Sequence, residues 1–168
     1  MAWVPKLDAS VGLDEPIARR IYDEPMLIGA ADQAPGPYLG ISMRHFEETR
    51  DRQVSVDRCG QTGVDRGVLS YLFPRARAMG DTFTPPQTFR GYLYVAAREL
   101  AEPARGPAFP PIPSPEKGQG MRENRYHAHL EFPDGVNDHY IVALYLREIF
   151  ANQGKRIVDR GKSGAAKA

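Results

Sequence analysis

Half of the chain's four histidines fall within one octapeptide, Arg125-Tyr-His-Ala-His-Leu-Glu-Phe132. Read as a β-strand with a side-chain period of two, this segment places Arg125, His127, His129 and Glu131 on one face. Tyr126, Ala128, Leu130 and Phe132 line the other. Two imidazoles beside an acid and a guanidinium can move protons or hold an oxyanion. His127 and His129 are therefore candidate catalytic residues, and Arg125 a candidate ligand-binding one. His-x-His on a strand also presents two rings to one metal ion, with Glu131 on the same face as third ligand, or His45 or His139 from elsewhere. The bland alternative is a polar strand face whose histidines bond their neighbours and water.

A second group is built from Arg44-His45-Phe46 and Ser55-Val-Asp57-Arg58. If these segments neighbour the histidine strand, Arg44, Ser55, Asp57 and Arg58 can bind a ligand and His45 can join His127 and His129 in proton transfer. Two arginines, several histidines and a serine suit a phosphate-bearing ligand. For Asp57 and Arg58 the alternative is a solvated strand end. Neither Ser42 nor Ser55 sits in a Gly-x-Ser-x-Gly elbow. Gly60, Gly63 and Gly67 miss the spacings of the dinucleotide and P-loop motifs. Cys59 is the only cysteine, which excludes an intrachain disulfide and a cysteine-rich zinc site.

Composition sets the outer bounds. The chain has 168 residues, 42% hydrophobic and 26% charged, with a net charge of +1. That is one globular domain with enough residues for a core and no global pull toward nucleic acid. The basic residues are 17 Arg and 5 Lys, a skew that GC-rich codon usage also produces. No run approaches the ~18 apolar residues of a membrane span. The expectation is a cytoplasmic bacterial protein that does not enter membranes.

The elements that must position these residues follow from periodicity. Asp14 would cap a short helix over Glu15–Tyr22, with Ile17 and Ile21 inward at i, i+4. Residues 41–46 read as a short strand or turn, and Val54–Arg58 as a strand with Val54 and Val56 inward. A helix over about 64–79 follows, capped by Thr62 or Asp65 and interrupted by Pro74. Thr88–Ala97 is aromatic and β-branched, as in a strand buried on both faces. Residues 103–123, rich in Pro and Gly, read as a long loop that is either functional or mobile. Asp138 caps a helix over about His139–Gln153 that is apolar nearly all round and so should lie in the core. Residues 1–12 read as an irregular arm and 155–168 as a basic flexible tail.

Val54-Ser-Val-Asp57, Phe89-Arg-Gly-Tyr-Leu-Tyr-Val-Ala-Ala97 and Asn124-Arg-Tyr-His-Ala-His129 together resemble a loose group of small bacterial proteins without an assigned activity. Those proteins carry an Arg/Phe segment, a Ser-Val-Asp strand and an Asn-Pro-x-His-Ala strand. The likeness spans residues 38–153 and departs at Asn124-Arg-Tyr, where the group has Asn-Pro. It implies that Arg44, Ser55, Asp57 and His127 act as a set.

The order of elements implies an α+β fold: one domain over 1–154, with a small mixed β-sheet packed against helices on one face. The residues point first to binding of a phosphate-containing ligand, a nucleotide or a nucleic-acid end, in an Arg/His pocket. The second reading is a non-catalytic subunit of a larger bacterial assembly such as a defence or toxin system, with a protein partner or a second copy. The third is a metal-dependent enzyme using His127 and His129. No pattern names a cofactor or a reaction.

Overall fold

The computed structural model describes residues 2–6, 9–22 and 52–159. Within them one six-stranded sheet runs β4-β5-β2-β1-β3-β6. Its strands are β1 (Pro16–Tyr22), β2 (Gln53–Arg58), β3 (Phe89–Ala96), β4 (Ile112–Pro113), β5 (His127–Glu131) and β6 (Lys155–Val158). The helices are α1 (Arg66–Asp81), α2 (Ala97–Ala101) and α3 (His139–Gln153), with a 3-10 turn at Gly120–Arg122. The α+β class is as expected, but two details differ. Every strand pair is antiparallel rather than mixed. Helices also cover both faces rather than one, since β1 and β3 are buried between α2 and α3 on one side and α1 on the other.

One face packs under α2 and α3. Ile17, Ile21, Val54, Val56, Leu93, Val95, Ala128 and Leu130 meet Leu100, Val142, Leu146 and Phe150 there. The other face packs under α1, where Ala18, Tyr22, Phe89 and Tyr92 meet Val68, Leu72 and Ala76. Asp65 caps α1, its Oδ1 accepting from the Gly67 amide at 2.8 Å and its Oδ2 from the Trp3 amide at 3.0 Å. That second bond pins the N-terminal arm over Tyr126, whose hydroxyl donates to the Trp3 carbonyl.

The segment expected as a helix over Glu15–Tyr22 is strand β1. Residues at i and i+4 share a face in both periodicities, so Ile17 and Ile21 do not discriminate between them. The deciding fact is non-local: β1 lies between β2 and β3 and pairs with β3 from Pro16 to Tyr22. Pro16 takes the first strand position, where no ladder N–H is required. The short strand or turn expected at 41–46 lies outside the described residues.

The chain beyond 154 begins as structure, not as a tail. Lys155–Val158 pair with Gly91–Tyr94, and Asp159 is buried in a two-bond ion pair with Arg77. The Pro-rich segment is likewise fastened. Phe109 is fully buried and its amide donates to the Leu100 carbonyl, while β4 forms a short edge strand on β5. Helix α3 spans the expected residues under an Asp138 cap, yet its apolar surface is divided. Val142, Ala143, Leu146 and Phe150 are buried, whereas Tyr140, Ile141 and Leu144 are exposed.

Candidate functional site

Strand register places the polar residues. Directly opposed residues of an antiparallel pair share a face. β2 and β5 pair Ser55 with His129 and Asp57 with His127, and β1 pairs Ala18 with Asp57 and Arg20 with Tyr92. Arg20, Ser55, Asp57, His127, His129 and Glu131 therefore belong to the same sheet face as the α1 core. That face carries Tyr22 of β1, Phe89 and Tyr92 of β3 and Ile157 of β6 where α1 packs, and it is polar on β2 and β5. Ser55 and Glu131 are exposed and both histidines half-buried.

Asp57 anchors the boundary between the two halves. It is 2% exposed and accepts from Arg20 Nε at 2.8 Å, the Tyr92 hydroxyl at 2.7 Å and Asn124 Nδ2 at 2.8 Å. Burial alone would push its carboxyl up; the Arg20 charge and the three donors outweigh that and hold it below the ordinary carboxylate range. Burial and the Asp57 charge push the Tyr92 phenol well up, so it stays a donor. Asn124 also accepts from the Tyr126 amide, which couples the Asp57 cluster to the turn that starts β5.

Ser114, next to β4, organises the histidines. Its carbonyl lies 2.8 Å from His127 Nδ1, and its hydroxyl lies 2.9 Å from Nδ1 of both His127 and His129. A carbonyl only accepts, so neutral His127 carries its proton on Nδ1. The Ser114 hydroxyl then donates to His129 Nδ1, which leaves the proton of neutral His129 on Nε2. The outer edges consequently differ: His127 Nε2 is an acceptor 3.7 Å from Glu116, and His129 Nε2–H is a donor 3.4 Å from Glu131. Each Nε2 faces a different carboxylate, and among the described residues no three His, Cys, Asp or Glu gather to hold a metal ion. The expected set of His127, His129 and Glu131 is thus not assembled as a metal centre.

Other expected site residues lie elsewhere. Arg58 is 3% exposed and forms a two-bond pair with buried Glu15 at 2.8 and 2.9 Å, its guanidinium over the Trp3 ring. It clamps the end of β2 and offers nothing to a ligand. Neither Asp57 nor Arg58 is a solvated strand end. Arg125 does not join the histidine face either, because residues 125 and 126 form a turn ahead of β5. The turn breaks the two-residue alternation: Tyr126 enters the α1 core, and Arg125 stacks on the Tyr71 ring 3.6 Å from Glu123. Cys59 is fully buried, and burial pushes its thiol up, so it is part of the core. Arg44 and His45 lie outside the described residues.

Arg20, Tyr92, Ser114, Glu116 and Asn124 enter the site without having been read as site residues. Arg20 was hidden by the helical reading of β1. Ser114 and Glu116 sit in a Pro-rich stretch with no periodicity to follow. Asn124 carried a signal, since it opens the Asn-x-x-His-Ala segment.

No family model matches the chain, and comparison with curated proteins and with solved structures finds no match.

Proposed function

We propose that the domain binds a small phosphate-containing ligand on the polar half of this face. The observation that carries the reading is the pairing of Ser55 with His129 and of Asp57 with His127, which sets the Ser55 hydroxyl and the His129 ring side by side on one face with His127 next in the row. His129 Nε2–H and the Ser55 hydroxyl would donate to phosphate oxygens, and His127 Nε2 would exchange a proton with the ligand. Arg20 borders the row, its guanidinium held in place and its charge balanced by Asp57. The carboxylates of Glu116 and Glu131 favour a ligand with hydrogen-bond donors beside its phosphate, so a nucleotide suits the site better than phosphate alone.

The test is calorimetric titration with nucleoside monophosphates and with inorganic phosphate, using wild type and a His127→Gln, His129→Gln double variant. Losing hydrogen bonds to a charged group, at ~1.5–3 kcal/mol each, weakens binding by about tenfold or more. Wild-type affinity in a double variant with an unchanged melting temperature overturns the assignment. So does the absence of binding to every phosphate compound tried.

A further inference from the structure

We propose that Ser114 is a nucleophile, activated by His129, that takes the acyl group of an activated carboxylic ester. This chemistry needs no phosphate and stands apart from the ligand reading above. A serine hydroxyl is a weak nucleophile until a base accepts its proton, and a third group must orient that base. The series is present. The Ser114 hydroxyl donates to His129 Nδ1 at 2.9 Å, within reach of direct proton transfer. The other nitrogen of the same ring, Nε2–H, points to Glu131 at 3.4 Å, which favours the tautomer with a basic Nδ1. Such bonds are commonly loose before a substrate binds. His127 Nδ1–H lies 2.9 Å from the same Ser114 oxygen, so it faces the charge left there as the proton departs.

The chain around Ser114 fixes the nucleophile and selects the substrate. The pairing of β4 with β5 continues past Pro113, and the Ser114 amide donates to the His127 carbonyl at 3.0 Å. Pro115 confines the residue before it to extended backbone, so the half-buried Ser114 is held in place. Pro113 and Pro115 have no amide proton, and the Glu116 amide is taken by the Asn124 carbonyl. Residues 113–116 thus lend no backbone donor to a carbonyl oxyanion, a deficit of ~10²–10³ in rate. Esters whose leaving group departs as a stable anion, aryl esters and thioesters, need that help least. In the first step an Oγ–carbon bond forms while the Oγ proton passes to His129 Nδ1. The carbon–leaving-group bond breaks, the leaving group keeps its electron pair, and His129 releases the proton to water. In the second step water attacks the Ser114 ester, His129 takes a proton from it, and that proton returns to Oγ as the acid is freed.

Rapid mixing of the full chain with p-nitrophenyl acetate near neutral pH, followed by intact-mass and peptide analysis, tests this. Wild type should release a burst of one nitrophenolate per chain and then turn over slowly. The acetyl group should map to Ser114 and come off with hydroxylamine, as an ester does and a lysine amide does not. His129→Gln, with an unchanged melting temperature, should slow acylation about a hundredfold. Ser114→Ala should abolish it; if that variant melts early, folded Ser114→Cys should carry the acetyl group on sulfur. A serine that only fastens β4 to β5 leaves no covalent product. Wild type without an acetyl group on Ser114, or His129→Gln acylated at the wild-type rate, overturns the proposal. Nucleotide binding by wild type without acylation removes the nucleophile alone. Acylation without nucleotide binding supports the nucleophile and removes the phosphate reading alone.

Discussion

Replacing Asp57 by Asn tests the buried network that holds the polar face. The substitution keeps volume and one acceptor oxygen while removing the charge. Tyr92 and Asn124 can still find that oxygen, but Arg20 loses the partner of its 2.8 Å ion pair while only 18% of its side chain is exposed. Breaking one side of a buried pair costs ~3–5 kcal/mol. The remaining acceptor places Asp57→Asn near the lower end, at about 3 kcal/mol. Urea unfolding at pH 7 measures this. The pH dependence supplies the sign check. The folded-state carboxyl of Asp57 lies below its unfolded value of about 3.9. Its contribution is therefore fully present above that value and is lost as pH falls through the folded-state pKa. The stability gap between wild type and Asp57→Asn should be flat from about pH 8 to 5 and should narrow below about pH 4. A gap under about 1 kcal/mol at pH 7, or one indifferent to acid, refutes the network as an energetic anchor.

Leu146→Ala should cost ~2–5 kcal/mol in urea unfolding because Leu146 is fully buried, whereas Leu144→Ala on the exposed side should cost under ~1 kcal/mol. Equal losses would contradict the division of α3 into inner and outer faces. Gly91 has φ +134 and an added Cβ would collide with the Ile157 carbonyl oxygen of β6. Gly91→Ala should destabilise by more than ~2 kcal/mol and speed amide exchange in 155–158 first; normal protection there would refute the close strand approach. Glu15→Gln leaves Arg58 buried without its counter-ion and should cost ~3 kcal/mol in chemical denaturation, with phosphate-ligand affinity unchanged. Altered affinity would return Arg58 to the site.

Local chemistry determined much of this protein. Asp65 and Asp138 cap their helices because a short acidic side chain ahead of an apolar periodic run satisfies the first free amides. Val54 and Val56 face the core because strand alternation leaves them no other side. His127 and His129 share a face for the same reason. Tertiary structure alone decided four things. It made residues 16–22 a strand, because β2 and β3 flank it on either side, and a spacing of four residues cannot tell one periodicity from the other. It converted the start of the expected tail into β6, since a four-residue edge strand has no signal until Gly91–Tyr94 offers its free edge. It turned Arg58 inward to Glu15, which the chain brings to the end of β2 from 43 residues away, and it carried Arg125 off to Tyr71, because the turn at 125–126 interrupts the alternation on which the placement of Arg125 depended. It brought Arg20, Tyr92 and Asn124 to Asp57 from positions 35 to 67 residues away in the chain. A buried carboxylate recruits donors by proximity in space, and that proximity is set by strand order and register, which no local pattern encodes.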